Sequence, residues 1–161
     1  MLEVKKLMVF YENALAINNI NMSALQGKIT GVFGANSAGK STLMYTISGI
    51  ILDVKKKEEM KGGERITVLG TIIFNGSDIT HLKPSERAKR GIILCPERRR
   101  IFPESSTLEN LKIGGYLATK AQAKKTLEYV FHIFPPLLKL KKREGGSLAE
   151  GSSRCLPLGG P

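Results

Sequence analysis

The sequence predicts an α/β fold with a mainly parallel sheet. Three observations carry that expectation. Strands, loops and helices alternate along the chain up to Leu148. A glycine-rich loop lies between a β-branched, aromatic run at Ile29–Phe33 and an amphipathic helical stripe. A second apolar run, Ile92-Ile93-Leu94-Cys95, has the look of a buried strand.

Residues 2 to 33 read as strands. Leu7-Met8-Val9-Phe10 is a short apolar run, and Ile20, Met22 and Ala24 alternate with polar neighbours. Gly27-Lys28 supplies a turn ahead of the Ile29–Phe33 strand. Beyond the glycine-rich loop, Leu43, Met44, Ile47 and Ile50 fall on one helical stripe that closes near Gly49. Residues 53 to 65 are polar and charged and read as a solvated excursion. Ile66 to Phe74 returns to strand, with Asn75-Gly76 as a hairpin turn. Pro84 opens a short helix that Gly91 stops. Ser106 and Glu109 stand at capping-box spacing before another helix. Leu127, Val130, Phe131 and Phe134 form the stripe of a further helix, ended by Pro135-Pro136.

The chain has 161 residues, 42% of them hydrophobic and 24% charged, which suits one domain with a core and leaves little room for two. No apolar run approaches the ~20 residues that a membrane-crossing helix needs, and no signal-peptide core follows Met1. Two cysteines without paired spacing indicate neither a disulfide framework nor a zinc site, so the cytosol is expected. The net charge of +11 raises the question of nucleic acid. The lysine and arginine clusters carry no interleaved aromatics for base stacking, however. Solvated faces or phosphate contacts fit them better, and no nucleic-acid partner is expected.

Gly34-Ala35-Asn36-Ser37-Ala38-Gly39-Lys40-Ser41 fits G-x-x-x-x-G-K-[ST] without a mismatch, in the required place between strand and helix. The glycines let backbone N–H groups turn inward toward phosphate oxygens, and the helix that follows adds its positive end. Lys40 is expected on the β- and γ-phosphates of a bound nucleotide, and the Ser41 hydroxyl on Mg²⁺. Thr42 closes the binding segment.

The flanking residues narrow the reading. Tyr11, ahead of Ala14-Leu15, sits where ATP-binding subunits of ABC transporters stack an aromatic ring on adenine; the other reading is a tyrosine that fills the core. Gly70 to Ile79 resembles that family's strand and turn before the Q-loop. RAKRGIILCPERRRIFPESSTLENLKIGG, Arg87 to Gly115, resembles the Q-loop and following helix of the subunits that energise branched-chain amino acid importers. Glu97 replaces the usual glutamine, as it does in that subfamily. The resemblance implies that Glu97 approaches Mg²⁺ or the attacking water; alternatively it pairs with Arg98 or Arg99 on the surface.

The resemblance covers residues 2 to 148. It implies a P-loop NTPase fold of the ABC ATPase kind, incomplete at its C-terminus, with an N-terminal antiparallel β region and the start of a helical subdomain. It also implies transmembrane permease subunits and a second ATP-binding subunit as partners, at the inner face of the cell membrane.

The pattern breaks after Gly146-Ser147-Leu148, where the family continues Ser-Gly-Gly-Glu-Gln-Gln. Here Ala149-Glu150-Gly151-Ser152-Ser153-Arg154 follows. The family's Walker B aspartate, water-activating glutamate and switch histidine have no counterparts, and His81 and His132 are misplaced for the last role. The family wording Ser-Gly-Gly-Glu-Gln-Gln-Met-Leu-Ala-Ile-Gly-Arg-Ala can be written in codons that, after loss of the first base, translate as Ala149 to Pro161 in full. Residues 1–148 are therefore expected to be the front part of such a domain and 149–161 a frameshifted tail. Two other outcomes stay open: a fragment that holds ATP without turnover or folds poorly, and a different P-loop kinase or GTPase.

Overall fold

Two long antiparallel strands begin the chain, β1 (Leu2–Tyr11) and β2 (Ala14–Ala24), joined at the tight turn Glu12-Asn13. They come from a computed structural model that describes residues 1–97 and 101–147. Arg98 to Arg100, Leu148 and the tail expected at 149–161 lie outside the described residues. The described chain divides into two units, Met1–Cys95 and Pro96–Pro161, each taken by itself below.

In the first unit the sheet order is β2-β1-β3-β4, with β3 at Ile66–Phe74 and β4 at Ser77–Asp78, all neighbours antiparallel. Asn75 and Gly76 make the hairpin turn that the sequence predicts, both with positive φ (48° and 80°). β1 buries Val4, Leu7 and Val9, and the step of three between Val4 and Leu7 breaks strict alternation. A bulge resolves it: Lys6 takes φ 50°, and the register against β3 shifts between Lys5 and Met8. Gly70 lies opposite with φ 104°, where a Cβ would stand 2.6 Å from the Lys6 carbonyl oxygen, so only glycine fits.

Helix α1 (Lys40–Ser48) lays Leu43 and Ile47 on Val4, Leu7, Val9, Ile17, Ile72 and Ile79, completing the core of this unit. Burying each of those two side chains is worth about 1.5–3 kcal/mol. Gly49, with φ 83°, caps α1 and hands over directly to α2 (Ile50–Lys61). The excursion expected at 53–65 is thus largely helical. Its lysines and glutamates are good helix formers, and only Ile51 is fully buried, so a periodic apolar stripe was missing from the sequence. Helix α3 (Pro84–Lys89) starts at its proline and ends just before Gly91 (φ 96°), as expected.

The mainly parallel sheet is not what the described residues form. Ile29–Phe33 and Ile92–Cys95 are not strands, and Ile29, Phe33 and Ile93 are almost wholly exposed. Among the described residues no strand pairs with either segment, and a lone strand gains no ladder hydrogen bonds to offset the entropy of ordering it.

The second unit is helical: α4 (Thr107–Gly114), α5 (Lys120–Ile133) and α6 (Pro135–Leu140). Ser106 caps α4 in the expected box, its hydroxyl accepting from Glu109 N–H (3.2 Å) while its own N–H donates to the Glu109 carboxylate (2.8 Å). α5 has a second such box, Thr119 with Gln122. Leu127, Val130 and Phe131 are half-buried on its stripe. Pro135 does not simply end the run; it opens α6, using the freedom of a first-turn position to lack an N–H. The stretch after α6 returns to the start of α4, where Thr107 N–H donates to the Arg143 carbonyl (2.8 Å) and Leu108 N–H to that of Lys141 (3.0 Å).

Candidate functional site

The loop Gly34–Gly39 joins an exposed segment to the first turn of α1. Its shape depends on two residues in the left-handed region, Ser37 (φ 63°) and Gly39 (φ 84°). Gly39 has a second constraint: a Cβ there would lie 2.5 Å from the Ala16 carbonyl oxygen of β2. The loop therefore packs on the sheet at its last glycine, while Gly34 through Ala38 are exposed.

Within the loop, Ala38 N–H donates to the Ala35 carbonyl at 3.3 Å. Among the described residues no other N–H from Gly34 to Thr42 has a hydrogen-bond acceptor, and the first α1 bond runs from Leu43 N–H to the Gly39 carbonyl (2.9 Å). A run of free N–H donors at a helix start, with φ changing sign along it, is an anion-binding concavity. The macrodipole of α1 adds partial positive charge at the same end.

Lys40 is half-buried, and its Nζ donates to the carbonyls of Gly34 (2.8 Å) and Ala35 (2.6 Å). Those two bonds fold the ammonium back over the loop, so a cation stands beside the donor run. The third ammonium proton remains for a ligand oxygen. Ser41 is exposed in the first turn of α1, and its hydroxyl makes no hydrogen bond among the described residues. Thr42 is half-buried behind it. Ala35, Asn36, Ser37 and Ala38 offer backbone only, which suits a ligand recognised by its phosphates.

The first unit also holds Tyr11, at the end of β1, paired with Ala14 on one side and Ile66 on the other. Its ring is half-buried and packs against the core, leaving part free. The turn beside it is pinned from two directions: Glu12 N–H donates to the Arg65 carbonyl (2.8 Å), and Arg65 N–H to the Glu12 carboxylate (2.5 Å). Core and stacking roles are thus both compatible with its position. Glu97 is exposed and belongs to the second unit. His81 and His132 are exposed, away from any cluster of metal ligands.

A Mg²⁺ ion fits this donor set only in one way. Among the described residues no three His, Cys, Asp or Glu side chains gather to hold a metal. Mg²⁺ keeps water and phosphate oxygens around it and needs just one or two protein ligands. The exposed Ser41 hydroxyl, in the first turn of α1 beside the run of N–H donors, is of the kind that could serve as one.

Sequence reasoning missed one residue of this unit. Arg87 is 1% exposed, and its guanidinium reaches four backbone carbonyls, two of them in the last turn of α1. A charged residue in a short polar helix gives no pattern from which such burial could be read.

The family described as ABC transporter matches residues 17–158. The chain is 27% identical to the high-affinity branched-chain amino acid transport ATP-binding protein BraG of Pseudomonas aeruginosa, over 99% of the chain and 62% of that protein. It is 31% identical to the probable branched-chain amino acid transport ATP-binding protein LivF of Archaeoglobus fulgidus, over 98% of the chain and 61% of that protein. Ribose import and phosphate import ATP-binding proteins match as well, at 25% and 28% identity. A nucleotide-free ATP-binding cassette from an ABC transporter superposes with a TM-score of 0.69 at 23% identity, covering 94% of this chain and 60% of that one. The chain thus spans about three fifths of the length of these relatives.

Proposed function

The chain belongs to the ABC transporter family, and on that premise we propose that it binds MgATP as part of a subunit energising an importer of branched-chain amino acids. The observation that carries the ATP reading is the Gly34–Thr42 arrangement: a run of free N–H donors, a helix start and the Lys40 ammonium at one place. The choice of amino acids rests on the names of the relatives BraG and LivF, against the ribose and phosphate importers that also match.

In this reading the N–H groups of the loop and Lys40 hold the phosphates, each charge-assisted bond from the ammonium contributing roughly 1.5–3 kcal/mol. Ser41 directs its hydroxyl to Mg²⁺, which when bound neutralises phosphate charge. Tyr11 stacks on adenine, and Glu97 approaches Mg²⁺ or the attacking water. Permease subunits and a second ATP-binding subunit are the proposed partners, at the cytoplasmic face of the membrane. No helix among the described residues is long and apolar enough to cross a membrane itself.

The test is calorimetric titration of the full chain and Lys40→Ala with MgATP. The expected outcome is a loss of tenfold or more in affinity in the variant. Equal affinities would overturn the assignment of the loop.

A further inference from the structure

We infer that Arg87 is a positioning residue for the phosphate loop: it holds the C-terminal end of α1, so that seating of its guanidinium and binding of nucleotide at the other end of the helix reinforce each other. This rests on the phosphate-loop reading above.

The geometry is unusual for an arginine. Nη1 donates to the carbonyls of Thr46 (2.7 Å) and Ile47 (2.9 Å), Nη2 to that of Thr80 (2.7 Å), and Nε to that of Leu82 (2.9 Å). No ion pair with a carboxylate satisfies it among the described residues; four neutral carbonyls do. Thr80 keeps its own place through its hydroxyl, which accepts from Ile72 N–H of β3 (2.9 Å). Space is reserved as well: a Cβ on Gly49 would stand 2.9 Å from Arg87 Nε.

Thr46 and Ile47 belong to the last turn of α1, whose carbonyls have no partner within the helix and carry its partial negative charge. A buried cation there complements the dipole as a phosphate does at the opposite end. α1 has only nine residues, a length at which an isolated helix is marginal in water. The direct field of either charge fades within a turn, so the coupling runs through the order of the helix: fixing one end lowers the cost of fixing the other. Coupling of this kind is reciprocal. Lysine cannot replace the fork, since one ammonium has three donors and no planar spread.

The first measurement needs no variant. Hydrogen exchange at Arg87 Nε–H, followed by NMR in the full chain, should slow severalfold on saturation with MgATP; an unchanged rate overturns the inference. The second compares MgATP affinity, corrected for folded fraction, in Arg87→Met and Arg87→Lys. About tenfold weakening is expected for methionine and less for lysine, with methylguanidinium partly restoring Arg87→Ala. Parent-like affinity in folded Arg87→Met also overturns it. Lys40→Ala separates the two readings. If that variant binds MgATP like the parent, the phosphate-loop assignment falls. If it loses binding while Arg87 exchange in the parent stays constant on saturation with MgATP, only the coupling falls.

Discussion

Tyr11 packs against the core with part of its ring free. Tyr11→Ala should therefore lower the melting temperature and, if the free face stacks on adenine, MgATP affinity by about 1–3 kcal/mol. Tyr11→Phe keeps the face and should be nearly neutral. Calorimetry on the folded fraction decides, since a tyrosine serving the core alone would leave that affinity unchanged. Asp78 offers a different check. Hydrogen bonds from Thr80, chiefly from its side chain and then its backbone N–H, hold the Asp78 carboxyl below its ordinary value of 3.8. A carboxylate with a lowered folded value stabilises the fold above the unfolded value and loses that contribution as pH falls through the folded one. The first unit should therefore lose stability below pH 3.8 more steeply in the parent than in Asp78→Asn, as circular dichroism melts across that range would show.

The elements divide by whether their signal was local. The β3 hairpin, the proline start of α3 and the Ser106 box were legible because each depends on turn or cap chemistry within four or five residues. The G-x-x-x-x-G-K-[ST] spacing marked the loop as a candidate from the sequence, and in the structure its last glycine is left-handed and its lysine folds back over it. α2 escaped notice because it buries a single isoleucine, and the Thr119 box because α5 buries no residue completely. The bulge at Lys6 needed Gly70 of another strand, and the Arg87 anchor needed carbonyls up to 41 residues away. The caps can be weighed directly. Thr119→Ala removes the hydroxyl that accepts from Gln122 N–H and should cost about 1 kcal/mol. Ser106→Ala should cost a similar amount and let the Glu109 carboxyl rise toward its usual value, since it loses the hydroxyl's bond and keeps only that of the backbone N–H. Urea unfolding of both variants would show parent-like midpoints if the boxes were ornamental.

At the scale of the molecule, the first unit carries a complete antiparallel sheet and an apolar segment that has no place in it. Ile29 and Phe33 are fully exposed, Val32 is more than a third exposed, and none of the three lies in a strand. Ile29, Thr30, Val32 and Phe33 are residues of high β propensity around a single glycine, and with free backbone groups they are a template for pairing with another chain. The surrounding charge does not protect them, because Lys28 is the only charged residue between Glu12 and Lys40. The chain should therefore self-associate through this segment even though its net charge of +11 keeps copies apart at low salt. Raising ionic strength screens that repulsion within about 8–10 Å and should promote association. Ile29→Lys with Phe33→Lys adds gatekeeping charge where no core contact is lost, so the double variant should stay monomeric at salt concentrations that associate the parent, with its melting temperature preserved. Sedimentation velocity across a salt series reads the result. Equal association of parent and variant would place the sticky surface elsewhere, and a large fall in melting temperature would mean that Ile29 and Phe33 are buried in solution.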